Sequence, residues 1–299
     1  MLMTVSLLLL GLPAAAVAPT AMHLLADPRT VARLGPAAEI AFGPVEKATQ
    51  NPLLREDKPW EAAWLNTYPT VAFDPTVRKY KLWYNGLTSC PPDMYPGPGM
   101  CPHPGYPPAW LPSIQREQRT ATFYAESDDG LRWTKPSLGV VSWNGTTANN
   151  IVVDAGNCDG NRGVFLDPHE RNASRRFKIF GERNASGAAV FCSWATRALV
   201  VGASADGIRW TDWTNVSTMN VAADTACNAI WDADLHTYLA FTRRHCDTEF
   251  PTLPFCRGKL KEWGVRREVR SEAKEFLSGS NWSYAVEVAH GEAQGTYDM

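Results

Sequence analysis

The sequence predicts an all-β chain built by repeating one unit, on three observations. A hairpin pattern occurs three times, a tryptophan-bearing turn follows each copy, and no long amphipathic helix is written after residue 35. The last point leaves a parallel α/β fold without its crossover helices. The first hairpin is residues 68–86, YPTVAFDPTVRKYKLWYNG. Val71 and Phe73 point one way and Ala72 the other, Asp74-Pro75 opens a turn, and Tyr80, Leu82 and Tyr84 resume the alternation. The pattern returns at 161–183 and at 227–244 as apolar pair, Asp, turn and apolar strand. The second motif reads SDDGLRW around Trp133, SADGIRW around Trp210, and a looser SGSNW at Trp282. These tryptophans recur about 75 residues apart, the length of four short strands with their turns, which is the signature of propeller blades.

In chain order, the apolar run 5–18 is too short to span a bilayer comfortably and ends in Ala16-Val17-Ala18, so residues 1–18 read as a signal peptide and 19–50 as a linker. The segment 51–64, NPLLREDKPWEAAW, places Asp57 and Glu61 among two tryptophans just before the first hairpin, where a propeller chain runs near its central channel. Residues 87–119 form a Pro/Gly-rich insertion, and NNIVV at 149–153 closes the first blade or opens the second. The propeller domain is expected over 51–299, with three blades recognisable. Three blades do not close a ring, so the chain reads as an incomplete or fragmentary propeller.

With 299 residues, 44% of them hydrophobic, and a net charge of −2, the chain can bury a large core and carries no electrostatic case for nucleic acid or an anionic membrane. Asn-x-Ser/Thr sites at Asn144, Asn172, Asn184, Asn215 and Asn281 fall in stretches that read as turns, which with the leader predicts a secreted glycoprotein and no membrane association after cleavage. The 7 cysteines show no Cys-x-x-Cys zinc pattern. Cys90/Cys101 and Cys246/Cys256 each bracket a loop and are expected as disulfides, and the odd count leaves a thiol over. The histidines show no metal spacing, and neither a phosphate-binding glycine loop nor a Gly-x-Ser-x-Gly elbow is present, so no metal and no organic cofactor is expected.

The residues FDPTVRKYKLWYNG after Tyr68-Pro69, SDDGLRW with KPSLG, VFLDP with RRFKIFGER, and NAIWD with TYLAFTRR resemble the five-bladed β-propeller glycoside hydrolases of families 32, 43, 62 and 68, including proteins described as family 32 N-terminal-like. The resemblance covers residues 51–288. It implies a glycosidase acting on an oligo- or polysaccharide with inward-facing acids, because one carboxyl must protonate the leaving oxygen while another attacks or activates water. The family-43 pattern places its first catalytic Asp immediately before a proline, where this chain has Tyr68, and its second Asp where this chain has Asn161, with Asp159 two residues earlier. Asp74, Asp167 and Asp232 recur in every copy and read as turn formers. The catalytic candidates are therefore acids that do not repeat, Glu61, Asp159 and Asp224, each ahead of an inner strand and expected in one pocket. Asp57, Trp60, Glu182 and Arg243 are the substrate-binding candidates. A lectin-like propeller without turnover is the alternative. A sialidase is the lesser one, because the Asp-box sequence here is one residue short.

Overall fold

The structure, a computed structural model, describes residues 44–62, 64, 67–89, 119–156, 162–184, 197–219, 227–245 and 266–290. The chain divides into two compact units, Met1–Thr49 and Gln50–Met299, and every described strand belongs to the second. The leader, the expected cysteine pairs and the bulk of the 87–119 insertion lie outside the described residues.

Among the described residues, twelve strands form three four-stranded antiparallel sheets. Blade 1 is β1 (Thr70–Asp74), β2 (Lys79–Ser89), β3 (Arg119–Ser127) and β4 (Ile151–Gly156), so NNIVV closes the first blade. Blade 2 is β5 (Gly163–Leu166), β6 (Phe177–Asn184), β7 (Arg197–Ser204) and β8 (Thr211–Val216). Blade 3 is β9 (Cys227–Asp232), β10 (Thr237–His245), β11 (Arg266–Ala273) and β12 (Val286–His290). Each sheet is a meander in chain order, and the first strands β1, β5 and β9 lie side by side. Consecutive four-stranded meanders stacked through their faces, with first strands innermost, are propeller blades.

The repeated motifs have distinct packing roles. In SDDGLRW, Ser127 Oγ accepts from Gly130 N (2.8 Å), and Asp129 Oδ1 accepts from Leu131 N and Arg132 N (2.8 and 2.7 Å). Ser204, Asp206, Ile208 and Arg209 reproduce the turn in blade 2. Gly130 and Gly207 take φ of 75° and 74°, a region that favours glycine. The turn delivers its tryptophan to the face that looks back along the chain. Trp210 packs with Trp83, Tyr124, Phe177 and Ile179 between blades 1 and 2, and Trp282 packs with Phe180, Tyr238 and Phe276 between blades 2 and 3. Trp133 lies on the far face of blade 1, over Leu82, Tyr84 and Phe123, together with Trp60 and Trp64. The segment before β1 thus covers that face of blade 1 instead of running along the inner strands. The difference follows from its tryptophans, which bury more area there than a solvated rim would allow.

The repeated aspartates do form turns, and two of them also join blades. Asp74 accepts from Thr76 N (3.1 Å) and takes a bidentate grip from Arg176 of blade 2 (2.6 and 2.7 Å), with Lys81 Nζ 3.0 Å away. Asp167 accepts from His169 N (2.9 Å) and from the hydroxyl of Tyr238 of blade 3 (2.8 Å). Asn215, expected in a turn, sits on the outer strand β8. It is exposed there, as are Asn144, Asn172 and Asn281.

Candidate functional site

The starts of the first two inner strands, β1 and β5, are held together by buried polar groups. The Asn85 carboxamide, on β2, donates to Thr67 O (3.2 Å) and to Arg162 O (3.3 Å), and its oxygen accepts from Thr122 Oγ1 (2.8 Å) and Arg162 N (3.2 Å). One side chain therefore ties the entry to β1 to the entry to β5. The guanidinium of Arg162 is buried and donates through Nη2 to the carbonyl of Glu182 on β6. Gly181 makes room for it, since a Cβ there would lie 2.4 Å from Arg162 Cγ. Gly163 does the same for the start of β9, where a Cβ would lie 2.4 Å from both Cys227 O and Asn228 Oδ1. Cys227 is a buried thiol with Sγ 3.5 Å from Thr242 Oγ1. Tyr68, at the place of the family's first acid, takes φ of 36° at the head of β1.

The antiparallel registers put Asn85, Glu182 and Arg243 at the same place on the second strands of the three blades, facing Thr122, Leu199 and Glu268 respectively. Glu182 and Arg243, chosen from sequence as substrate-binding residues, are thus equivalent positions at this end of the blades. Glu182 is fully buried beside Arg162. Burial pushes the Glu268 carboxyl up, and Arg243 opposes that shift. A neutral amide, an acid and a base at one repeated position make a polar end of varied chemistry on a uniform scaffold.

Glu61 is elsewhere, on the covered face of blade 1, and is fully buried. Its Oε1 accepts from Tyr84 Oη (2.6 Å), and its Oε2 accepts from Asp57 N (3.0 Å) and Lys135 Nζ (2.7 Å). Lys135 also reaches the exposed Asp57 carboxylate (2.9 Å) and lies over the ring of Trp64. The Tyr84 hydroxyl is pushed well above its usual range, first by burial and then by the Glu61 charge. Trp60 donates through Nε1 to Asn150 Oδ1 (2.6 Å) and stands edge-on to Trp143. Glu61, Asp57 and Trp60 therefore form one network that fastens the segment before β1 to blade 1. Both Glu61 oxygens are already engaged within it. Asp159 and Asp224 lie outside the described residues.

Sequence reasoning did not single out Asn85, Arg162 or Lys135. Asn85 and Arg162 sit in the hairpin copies themselves, where apolar alternation dominates the reading, and Lys135 is one residue of a turn motif. Their partners are far along the chain. Among the described residues no group of three or more His, Cys, Asp or Glu is placed to hold a metal ion, and no helix is long and apolar enough to cross a membrane.

No protein-family model and no curated protein matches the chain. Solved structures similar to it include an N-acetylgalactosamine deacetylase from F. plautii, 10% identical over 72% of this chain and 50% of that one, with a TM-score of 0.40. A GH43 endo-arabinanase from Bacillus licheniformis is 10% identical over 75% of this chain and 59% of its own, with a TM-score of 0.38. An exo-β-1,3-galactanase from Clostridium thermocellum is 14% identical over 77% of this chain and 38% of its own, with a TM-score of 0.34. The chain thus spans between 38% and 59% of the length of these three proteins. The resemblance to propeller glycoside hydrolases read from the motifs stands at the level of fold, on the blade topology described above.

Proposed function

We propose that this chain is a secreted glycoside hydrolase-like protein acting on glycosidic bonds of an oligo- or polysaccharide, with its site at the polar ends of the inner strands. The observation that supports it is the convergence of Asn85, Arg162 and Glu182 where β1 and β5 begin, with the start of β9 packed against Gly163. Asp159 lies three residues before Arg162 and Asp224 three before Cys227. In the proposed reaction one of them protonates the leaving oxygen and the other attacks the anomeric carbon or activates water. Arg243 orients a hydroxyl or carboxylate of the sugar through its planar donor fork. The four exposed glycosylation sequons support passage through the secretory pathway.

The second reading is a carbohydrate-binding propeller without turnover. It is favoured by Glu61, whose carboxylate is consumed by Tyr84, Lys135 and the Asp57 amide, and by Tyr68 at the place of an acid.

The experiment is a glycan array and a panel of chromogenic glycosides, run on the secreted protein beside Asp159→Asn, Asp224→Asn and Glu61→Gln. The hydrolase reading expects turnover that drops at least a hundredfold in the first two variants, the scale of lost general acid–base catalysis. Glycan binding without turnover in any form would establish the lectin reading instead. Turnover unaffected by either Asp variant would place the acids elsewhere.

A further inference from the structure

Among the described residues, five that are not glycine take a positive φ, and local chain geometry accounts for four of them. Arg78 and His236 each close a hairpin turn, directly before β2 and β10. Asn144 and Gly145, at φ of 48° and 79°, are the centre of the tight turn that pairs Trp143 with Thr146. Asp212 sits in a β-bulge, where it and Trp213 stand opposite Gly202 alone. Tyr68 is the fifth. It lies outside any strand or turn, at φ of 36°, directly before Pro69. A proline drives the residue before it toward extended backbone, and a bulky side chain at positive φ is strained in any setting.

The surrounding chain holds this strain from both sides. Thr67 O, in the peptide that leads into Tyr68, accepts from Asn85 N (2.9 Å) and from the Asn85 carboxamide (3.2 Å). On the other side Pro69 fixes its own φ, and Thr70 pairs with Trp83, a buried residue whose indole donates to Gly207 O (2.7 Å). The repeat itself does not call for a tyrosine here. Counted back from Asp167 and Asp232, the positions that correspond to Tyr68 are Asn161 and Ala226. Tyr68 is half-buried, at the polar end where the Asn85 carboxamide joins Thr67 to Arg162. Backbone strain that surrounding contacts enforce, and that the repeated unit does not need, is characteristic of residues that meet a ligand.

We propose that Tyr68 is a sugar-contacting residue of the candidate site, with its ring lying against the C–H face of a bound monosaccharide unit. A phenol suits that contact because it joins a flat apolar body to a polar tip and loses few rotamers when it is held. The assignment rests on the carbohydrate reading above and serves the hydrolase and the lectin alike, since both bring a sugar to this end. Tyr68 binds and orients the sugar, and proton transfer is left to the acids.

The test takes the full chain and the array glycan it holds most tightly, and measures Kd, or KM where there is turnover, beside urea unfolding for Tyr68→Gly, Tyr68→Asn and Tyr68→Phe. Gly and Asn adopt left-handed backbone with little strain, so both variants should unfold at or above the parent's urea midpoint. Both should bind about tenfold or more weakly, the scale of a lost ring contact. Tyr68→Phe keeps the ring and should stay within about fivefold of the parent, the scale of one hydrogen bond. Unchanged affinity in Tyr68→Gly overturns the proposal and leaves the carbohydrate reading in place. A urea midpoint that falls together with affinity also overturns it, because the ring would then be packing for the fold. Binding lost as fully in Tyr68→Phe as in Tyr68→Gly overturns the stacked contact. A parent chain that neither binds nor cleaves any glycan overturns this proposal and the carbohydrate reading together.

Discussion

At the scale of single residues, buried ion pairs decide where the acids of this chain can work. Asp74 is fully buried, which by itself raises its pKa, yet the hydrogen bonds of Arg176 and Lys81 hold the carboxyl well below the usual range. A depressed carboxylate contributes stability above its unfolded pKa near 3.8, and that contribution is lost as pH falls through the lower folded value. Asp129 acts in the same direction, held at about 2 chiefly by the Arg132 and Leu131 amides. Urea unfolding midpoints should therefore fall between pH 4 and pH 2, and the fall should be shallower in Asp74→Asn. At neutral pH, Asp74→Asn should cost about 3 kcal/mol, because it strands Arg176 and Lys81 without their anion. Glu61→Gln should cost a similar amount through Lys135, about 3 kcal/mol. If Glu61 serves structure alone, the variant that still folds keeps its sugar binding and any turnover. Loss of turnover at retained stability would instead give Glu61 a part in the chemistry.

At the scale of elements, the Ser-x-Asp-Gly turn is the joint between blades. Trp83 of blade 1 donates through Nε1 to Gly207 O (2.7 Å) and Lys81 donates to Asp206 O (2.7 Å), so the turn of blade 2 is gripped by the second strand of blade 1. A Cβ on Gly207 would lie 2.4 Å from Trp83 Cζ2, and the residue's φ is 74°. Gly207→Ala should destabilise by about 1–3 kcal/mol, from overpacking added to left-handed backbone strain. Gly130→Ala is the control, because its Cβ would meet only the Tyr80 ring at an ordinary 3.7 Å while φ is 75°. The difference between the two in chemical denaturation isolates the interblade contact from the backbone term.

At the scale of the molecule, stability is divided among faces. Trp282 is buried between blades 2 and 3, and Trp282→Ala should cost about 3–5 kcal/mol. Trp133 is only partly buried beneath the segment before β1, so Trp133→Ala should cost less, and the order of the two denaturation midpoints checks the blade assignment. Much of this architecture was legible in the sequence. Alternation marked β1, β2, β5, β6, β9 and β10, and the spacing of Trp133, Trp210 and Trp282 marked three blades, because strand period and blade repeat are local properties of the chain. The turn role of Asp74, Asp167 and Asp232 was legible for the same reason, since each carboxylate binds amides within three residues of itself. What only the tertiary structure decided is which polar groups meet. Arg176 finds Asp74, Lys135 finds Glu61, and Asn85 joins Thr67 to Arg162 across loops whose length carries no pattern. No periodicity encodes such pairs. They follow from which faces the blades bury, and that choice turned Glu61 from an acid among loop residues into the anchor of the segment that precedes the propeller.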